Sequence, residues 1–294
     1  MKRDSFQILG FTLLFAVAYG VLLNVTGWHA DFSETDFHAN LGRVHVYLHG
    51  PHKPIEILGS SMSARLLPQY FSEGGLDVGN LGLDGGKVVT ALRILLRRPD
   101  LPAIVLLEEN TLLSEPSEND KEVLDEIDSF SFWLATKVPL LQPQARPSSI
   151  LYSALKRWRE RPTSGLDGRR VTLVPAADEA TTNVTATACQ SAAPAVTPEI
   201  ERLIRDLQQR GVTVAIFHLP HNTSPTRSNE PTRIFVNELI QRLDLPSLDL
   251  GVQMLRQKIP IQYTDGTHLT TPSARAASAI LSLWLQRHLT MPPT

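Results

Sequence analysis

Three residue types in this chain are spaced so that together they could carry out acyl transfer. Ser61 closes the sequence Gly59-Ser60-Ser61, which follows a short run at residues 55–58 that is apolar but for Glu56 and precedes a helix-like segment at 63–67. A strand that ends in Gly-x-Ser and turns at once into a helix exposes a serine hydroxyl at a sheet edge, where it can act as a nucleophile. Serine after a glycine turn is also a common helix N-cap. Asp265 and His268 lie three residues apart on one loop sequence. At that spacing a carboxylate can hold an imidazole in one tautomer while its second nitrogen reaches a serine. The developing oxyanion needs donors. Backbone N–H groups of Ser61 and Gly85 and the Asn110 carboxamide are the candidates, with Gly82 competing with Gly85. Ser60 stands one residue too early for the Gly-x-Ser turn, and Ser63 is expected to face away.

Other chemistry is less well supported. Glu108 and Glu109 could form an acid–base pair of the glycosidase kind, but neighbours on a strand point to opposite faces. His218 and His221 flank Pro220 at a strand end and either line the site or serve as structural histidines. Cys189 is the only cysteine, so no intramolecular disulfide or multi-cysteine metal site forms. It lies in a polar stretch without a neighbouring histidine, which argues against a catalytic thiol. A serine mechanism of this kind requires no metal and no cofactor.

These residues need a scaffold, and the pattern supplies one. Strands are expected at residues 55–58, 75–81, 103–107, 212–219 and 247–250; helices at 35–48, 87–98, 199–210, 233–243 and 271–289. Residues 103–107, Ala-Ile-Val-Leu-Leu, are apolar without interruption, as in a strand buried on both faces. Pro68 is expected to end or kink the helix begun at residue 63. Residues 119–160 read as irregular helices with Trp133 and Trp158 as anchors, broken by Pro139, Pro143 and Pro147. Residues 163–197 read as a Thr/Ala/Ser/Pro-rich insertion with one apolar run at 171–174. Alternating strands and helices predict a parallel sheet covered on both faces, a three-layer α/β/α sandwich. In such sheets ligands sit beyond the carboxyl ends of the strands. Ser61, residues 80–86 beginning at Asn80, and Asn110 all fall there, and Asp265 and His268 precede the last helix.

The chain has 294 residues, 42% hydrophobic and 20% charged, with a formal charge of −2. This is ordinary globular composition, and it lacks the basic field that nucleic acid binding needs. Lys2 and Arg3 precede an apolar stretch at residues 6–25, and Asp31, Glu34 and Asp36 follow it. Some 20 apolar residues match the thickness of a bilayer core. The charge asymmetry leaves the N-terminus in the cytoplasm and the bulk of the chain outside. Ala16-Val17-Ala18 resembles a signal-peptidase site, but the apolar run continues past it, which favours an uncleaved anchor. The expected organisation is a cytoplasmic tip and anchor at 1–28, a connector at 29–53, and one domain at 54–294 carrying an insertion at about 115–197.

The order of blocks resembles the SGNH/GDSL hydrolases: Gly-x-Ser near the domain start, a glycine turn after the second strand, an asparagine after the third, and Asp-x-x-His near the C-terminus. The resemblance spans roughly residues 54–290. It implies Ser61 as nucleophile, Asp265 and His268 as its triad partners, and an oxyanion hole of Ser61, Gly85 and Asn110. The first block is Gly-Ser-Ser rather than Gly-Asp-Ser, and the third is Glu-Glu-Asn-Thr. These departures are similar to the membrane-anchored branch of the family. That branch implies a single-pass inner-membrane protein with a periplasmic or extracellular domain, acting on an acylated glycan or other ester substrate beside a membrane-bound acyltransferase. Esterase and O-acyltransferase share the acyl-serine intermediate and stay undivided. The alternative is a non-catalytic accessory or glycan-binding protein of a polysaccharide-modification complex.

Overall fold

The computed structural model describes residues 2–26, 30, 33–159, 195–221 and 231–289. Residues 163–194 of the expected insertion, with the run at 171–174 and Cys189, lie outside these. The chain divides into two compact units. The first comprises Met1–Gly50 and Lys121–Arg161, the second Pro51–Asp120 and Pro162–Thr294.

In chain order the elements are α1 (Lys2–Thr26), α2 (Asp36–His49), β1 (Ile55–Ser60), α3 (Pro68–Ser72), β2 (Val78–Leu83), α4 (Val88–Leu95), β3 (Ile104–Glu108) and α5 (Glu118–Ile127). There follow α6 (Phe130–Lys137), α7 (Pro147–Arg159), α8 (Thr197–Gln209), β4 (Thr213–His218), α9 (Pro231–Leu243), β5 (Ser247–Asp249), α10 (Leu250–Arg256) and α11 (Thr271–His288).

The second unit is built on a five-stranded sheet of order β2-β1-β3-β4-β5, parallel at every pairing. The α/β class and the parallel sheet expected from the sequence are therefore observed. Every residue of β1 and β3 is buried, so both faces of the central strands are covered. Ile55, Ile57, Ile104, Leu106, Ala215 and Phe217 share a core with Phe71 of α3, Met254 of α10, and Leu281 and Trp284 of α11. Helix α4 packs on β1 and β2, and α8 on β4 and α4. Each fully buried Leu or Ile contributes about 1.5–3 kcal/mol, and these strands consist largely of such residues. The strand order reverses between β1 and β3, because the chain runs from β1 out to β2 and then back across to β3. Open parallel sheets bind ligands at such a switch point, beyond the carboxyl ends.

Several boundaries differ from expectation for identifiable reasons. Pro68 opens α3 instead of ending a helix, and residues 63–65 form a single 3-10 turn. Pro139, Pro143 and Pro147 likewise each begin a helical segment, since proline lacks an N–H that the first helical turn does not use. The second strand starts at Val78, not at residue 75. Gly75 sits at φ +75° with the Leu76 N–H bonded to the Phe71 carbonyl, so the exit from α3 occupies that stretch. Trp133 and Trp158, expected as anchors of the helices at 119–160, are 52% and 69% exposed.

In the first unit, residues Phe6–Thr26 of α1 form a 21-residue span of mean hydropathy 2.2, long and apolar enough to cross a membrane. Thr35 caps α2, its hydroxyl accepting from the His38 N–H.

A buried acid in β1 makes the stability of the second unit pH-dependent. Glu56 is buried, and burial pushes its carboxyl up to about 8 against the pull of Arg98 and Lys53. A carboxyl whose folded pKa is raised is held neutral in the fold. Its contribution is complete below the unfolded value and is lost as pH rises toward the folded one. Unfolding free energy should therefore fall by about 2 kcal/mol between pH 5 and 7 from this group alone. Glu56→Gln should remove that slope, as read by urea unfolding at the two pH values.

Candidate active site

The loop after β1 is held by a buried carboxyl. Glu108, the last residue of β3 and fully buried, accepts the Ser60 N–H at 2.6 Å, the Ser60 hydroxyl at 2.8 Å and the Ser63 N–H at 3.3 Å. The Ser63 hydroxyl donates to the Ser60 carbonyl at 2.9 Å, and the Met62 N–H to the Ser60 hydroxyl at 3.2 Å. Burial drives the Glu108 carboxyl above its ordinary range, and the donors from Ser60 and Ser63 pull it back. Gly59 makes room for this clamp: a Cβ there would strike the Glu108 carboxyl and the Ser63 hydroxyl. Ser60 and Ser63 are thus spent on the backbone turn, and the remaining serine, Ser61, stands half-buried at its tip.

From the other side β2 secures the same turn. The Asn80 amide donates to the carbonyls of Ser63 and Leu66, both at 2.8 Å, while its oxygen accepts the Gly82 N–H at 2.7 Å. The Gly82 N–H is thereby engaged. Gly85 lies in the exposed turn after β2, with φ +67°.

The loop before α11 brings the other two residues. Tyr263 and Leu269 form an antiparallel bridge, and the Thr264 N–H donates to the His268 carbonyl at 2.8 Å. Between them the chain reverses through Gly266 at φ +83°, a conformation that residues with a Cβ rarely adopt. Asp265 organises the turn: one oxygen accepts the N–H groups of Thr267 and His268 at 3.1 and 2.9 Å. Its other oxygen lies 2.6 Å from His268 Nδ1. His268 Nε2 lies 2.8 Å from Ser61 Oγ.

Donors from the His268 backbone, above all, hold the Asp265 carboxyl well below the usual carboxylate range, with further bonds from the imidazole and Thr267. An ionised Asp265 accepts a hydrogen bond from the Nδ1–H group, which leaves Nε2 as acceptor for the serine hydroxyl. The structure therefore brings Ser61, His268 and Asp265 into one hydrogen-bonded chain, although 207 positions separate the serine from the histidine.

Asn110 follows β3 in a 3-10 turn at Glu109–Thr111. Its carboxamide meets the Leu219 backbone with both ends at 3.3 Å, and Nδ2 lies 3.6 Å from the Met62 sulfur, beside Ser61. Glu109 opens that turn just past the strand end and meets different partners from Glu108. It faces His218 Nδ1 at 3.5 Å and Arg233 at 3.8 Å, and Arg233 reaches Asp249 at 3.1 Å. This charged row joins the carboxyl ends of β3, β4 and β5. His218 is buried within it.

Sequence reading missed both the Glu108 clamp and the Asn80 bracket. The one available signal was an acidic residue ending an otherwise apolar strand. No cluster of three or more His, Cys, Asp or Glu that could hold a metal occurs among the described residues. Neither protein-family models nor curated proteins give a match to this chain.

Proposed function

We propose that this chain is a serine acyl-esterase or O-acyltransferase of SGNH type, with a three-layer α/β/α domain exported on a single-pass inner-membrane anchor. The observation that carries the reading is the Asp265–His268–Ser61 hydrogen-bonded chain at 2.6 and 2.8 Å, set at the switch point of a parallel sheet. His268 Nε2 takes the proton from Ser61 as Oγ attacks the ester carbonyl carbon. The same proton then passes to the departing alcohol, leaving an acyl-serine. In the second half His268 deprotonates water or a sugar hydroxyl, which attacks the acyl carbon; the bond to Oγ breaks and His268 returns the proton to Ser61.

The oxyanion would be met by the N–H groups of Ser61 and Gly85 and by the Asn110 amide. Gly85 is favoured over Gly82 because Asn80 already takes the Gly82 N–H. The Asn110 amide hydrogen facing the Met62 sulfur, a weak acceptor, is the one a carbonyl oxygen would take over. An exported position makes ester-linked acyl groups of a cell-surface glycan, acetyl in particular, the fitting substrate class, and a membrane-bound acyltransferase the fitting partner.

An activated serine reacts with fluorophosphonate esters whatever its natural substrate. The full-length protein should be phosphonylated at Ser61, read by peptide mass. Ser61→Ala and His268→Ala should not be labelled. Equal labelling of all three would sink the proposal.

A further inference from the structure

Helix α7 is amphipathic in the wrong sense for a helix facing water. Ser149 and Ser153 are buried, whereas Leu151, Tyr152, Leu155 and Trp158 are exposed and fall on one face at helical spacing. The polar side is fastened inward: the hydroxyls of Ser148 and Ser149 donate to Glu34 at 2.9 and 2.8 Å. Helix α6, in the same unit, is apolar on both its inner and its outer side. Phe132 and Ala135 are buried, while Phe130 and Trp133 are exposed and stacked with their ring centroids 5.3 Å apart.

Between α6 and α7 the chain touches the apolar span. The Tyr19 hydroxyl of α1 donates to the Ala145 carbonyl at 2.7 Å. Tyr19 lies seven residues before the end of the span at Thr26, which is about 10 Å along a helix axis. A bilayer holding that span therefore reaches past Ala145 on the outer side.

We infer that α6 and α7 lie in the outer leaflet against α1, with Phe130, Trp133, Leu151, Tyr152, Leu155 and Trp158 immersed among lipid chains. Aromatic and Leu residues on the apolar face are typical of helices at the bilayer interface. The surface would hold the first unit flat on the membrane and not merely tethered to it. Residues 160–194, rich in Thr, Ala, Ser and Pro, are poorly suited to cover so large an apolar face. The inference rests on α1 being a membrane anchor.

Full-length protein carrying Trp28→Phe, reconstituted in phosphatidylcholine vesicles with acyl-brominated lipid, tests it by tryptophan quenching. Trp133 and Trp158 should lose most of their emission to bromine. Adding Trp133→Phe and Trp158→Phe should leave only the weakly quenched emission of Trp284, which is buried in the core of the second unit. A Phe11→Trp probe in that last background reports on α1 itself. If Phe11→Trp is quenched while Trp133 and Trp158 are not, the anchor stands and the inference is overturned, with a protein partner or residues 160–194 covering the face. If Phe11→Trp is not quenched, anchor and inference fall together.

Discussion

Ser61→Ala is expected to lower kcat on 4-nitrophenyl acetate by about a thousandfold or more, with little change in KM. The substitution deletes the oxygen proposed to attack and nothing that holds the fold, because Ser60, Ser63, Asn80 and Glu108 carry the turn without it. His268→Ala should cost a similar factor. The double variant should be no worse than either alone, since the two residues act as one device and their losses do not add. Asp265→Asn should cost about 100- to 10,000-fold. Asparagine keeps one acceptor for the N–H groups of Thr267 and His268, but its NH2 cannot accept from Nδ1, so the imidazole loses its tautomer. Asp265 is depressed below the usual range. The stability it contributes is therefore present above the unfolded carboxyl value and lost as pH falls below it. Stopped assays at constant pH with circular dichroism of each variant separate loss of chemistry from loss of fold. Additive losses in the double variant would contradict a shared proton relay.

The parts of this design that could be read from sequence are the local ones. Residues 103–107 are apolar without a break and 212–219 are apolar but for Thr213 and His218, and the strands appear there as Ile104–Glu108 and Thr213–His218. Gly59-Ser60-Ser61 and Asp265-Gly266-Thr267-His268 each encode their own turn. Whether the two turns meet depends on the strand order, which no local spacing contains. Helix α10 was missed although Asp249 marks it, its carboxylate accepting the Val252 N–H. The outward face of α7 was hidden for a deeper reason. A stripe of Leu151, Leu155 and Trp158 reads the same whether it meets a protein core or a lipid chain, and Trp158 was accordingly taken for an anchor. Glu108 was legible as an odd residue at a strand end, but its role depends on Gly59, nearly fifty positions earlier.

That pairing of Glu108 with Gly59 sets the second large effect. Glu108→Ala should destabilise the second unit by about 3–5 kcal/mol, because the N–H groups of Ser60 and Ser63 and the Ser60 hydroxyl lose their buried acceptor. Gly59→Ala should cost about 2–3 kcal/mol from the opposite direction, since its Cβ overpacks the same carboxyl and the Ser63 hydroxyl. Glu108→Gln separates acceptor from charge. The carboxyl is raised by burial, so its neutral form is more favoured in the fold than in the unfolded chain. A glutamine oxygen can accept the Ser60 and Ser63 N–H groups while its NH2 donates to the Ser60 hydroxyl. Stability should then remain within about 1 kcal/mol of the parent. The parent's stability should decline as pH rises through the raised value, and the glutamine variant should lack that decline. Catalysis follows geometry: Glu108→Ala and Gly59→Ala move the turn that carries Ser61, so kcat should fall well before KM changes, whereas Glu108→Gln should keep most of the rate. Urea unfolding with esterase kinetics on the three variants checks all of this. A glutamine variant as crippled as the alanine one would mean that the ionised carboxylate itself is required.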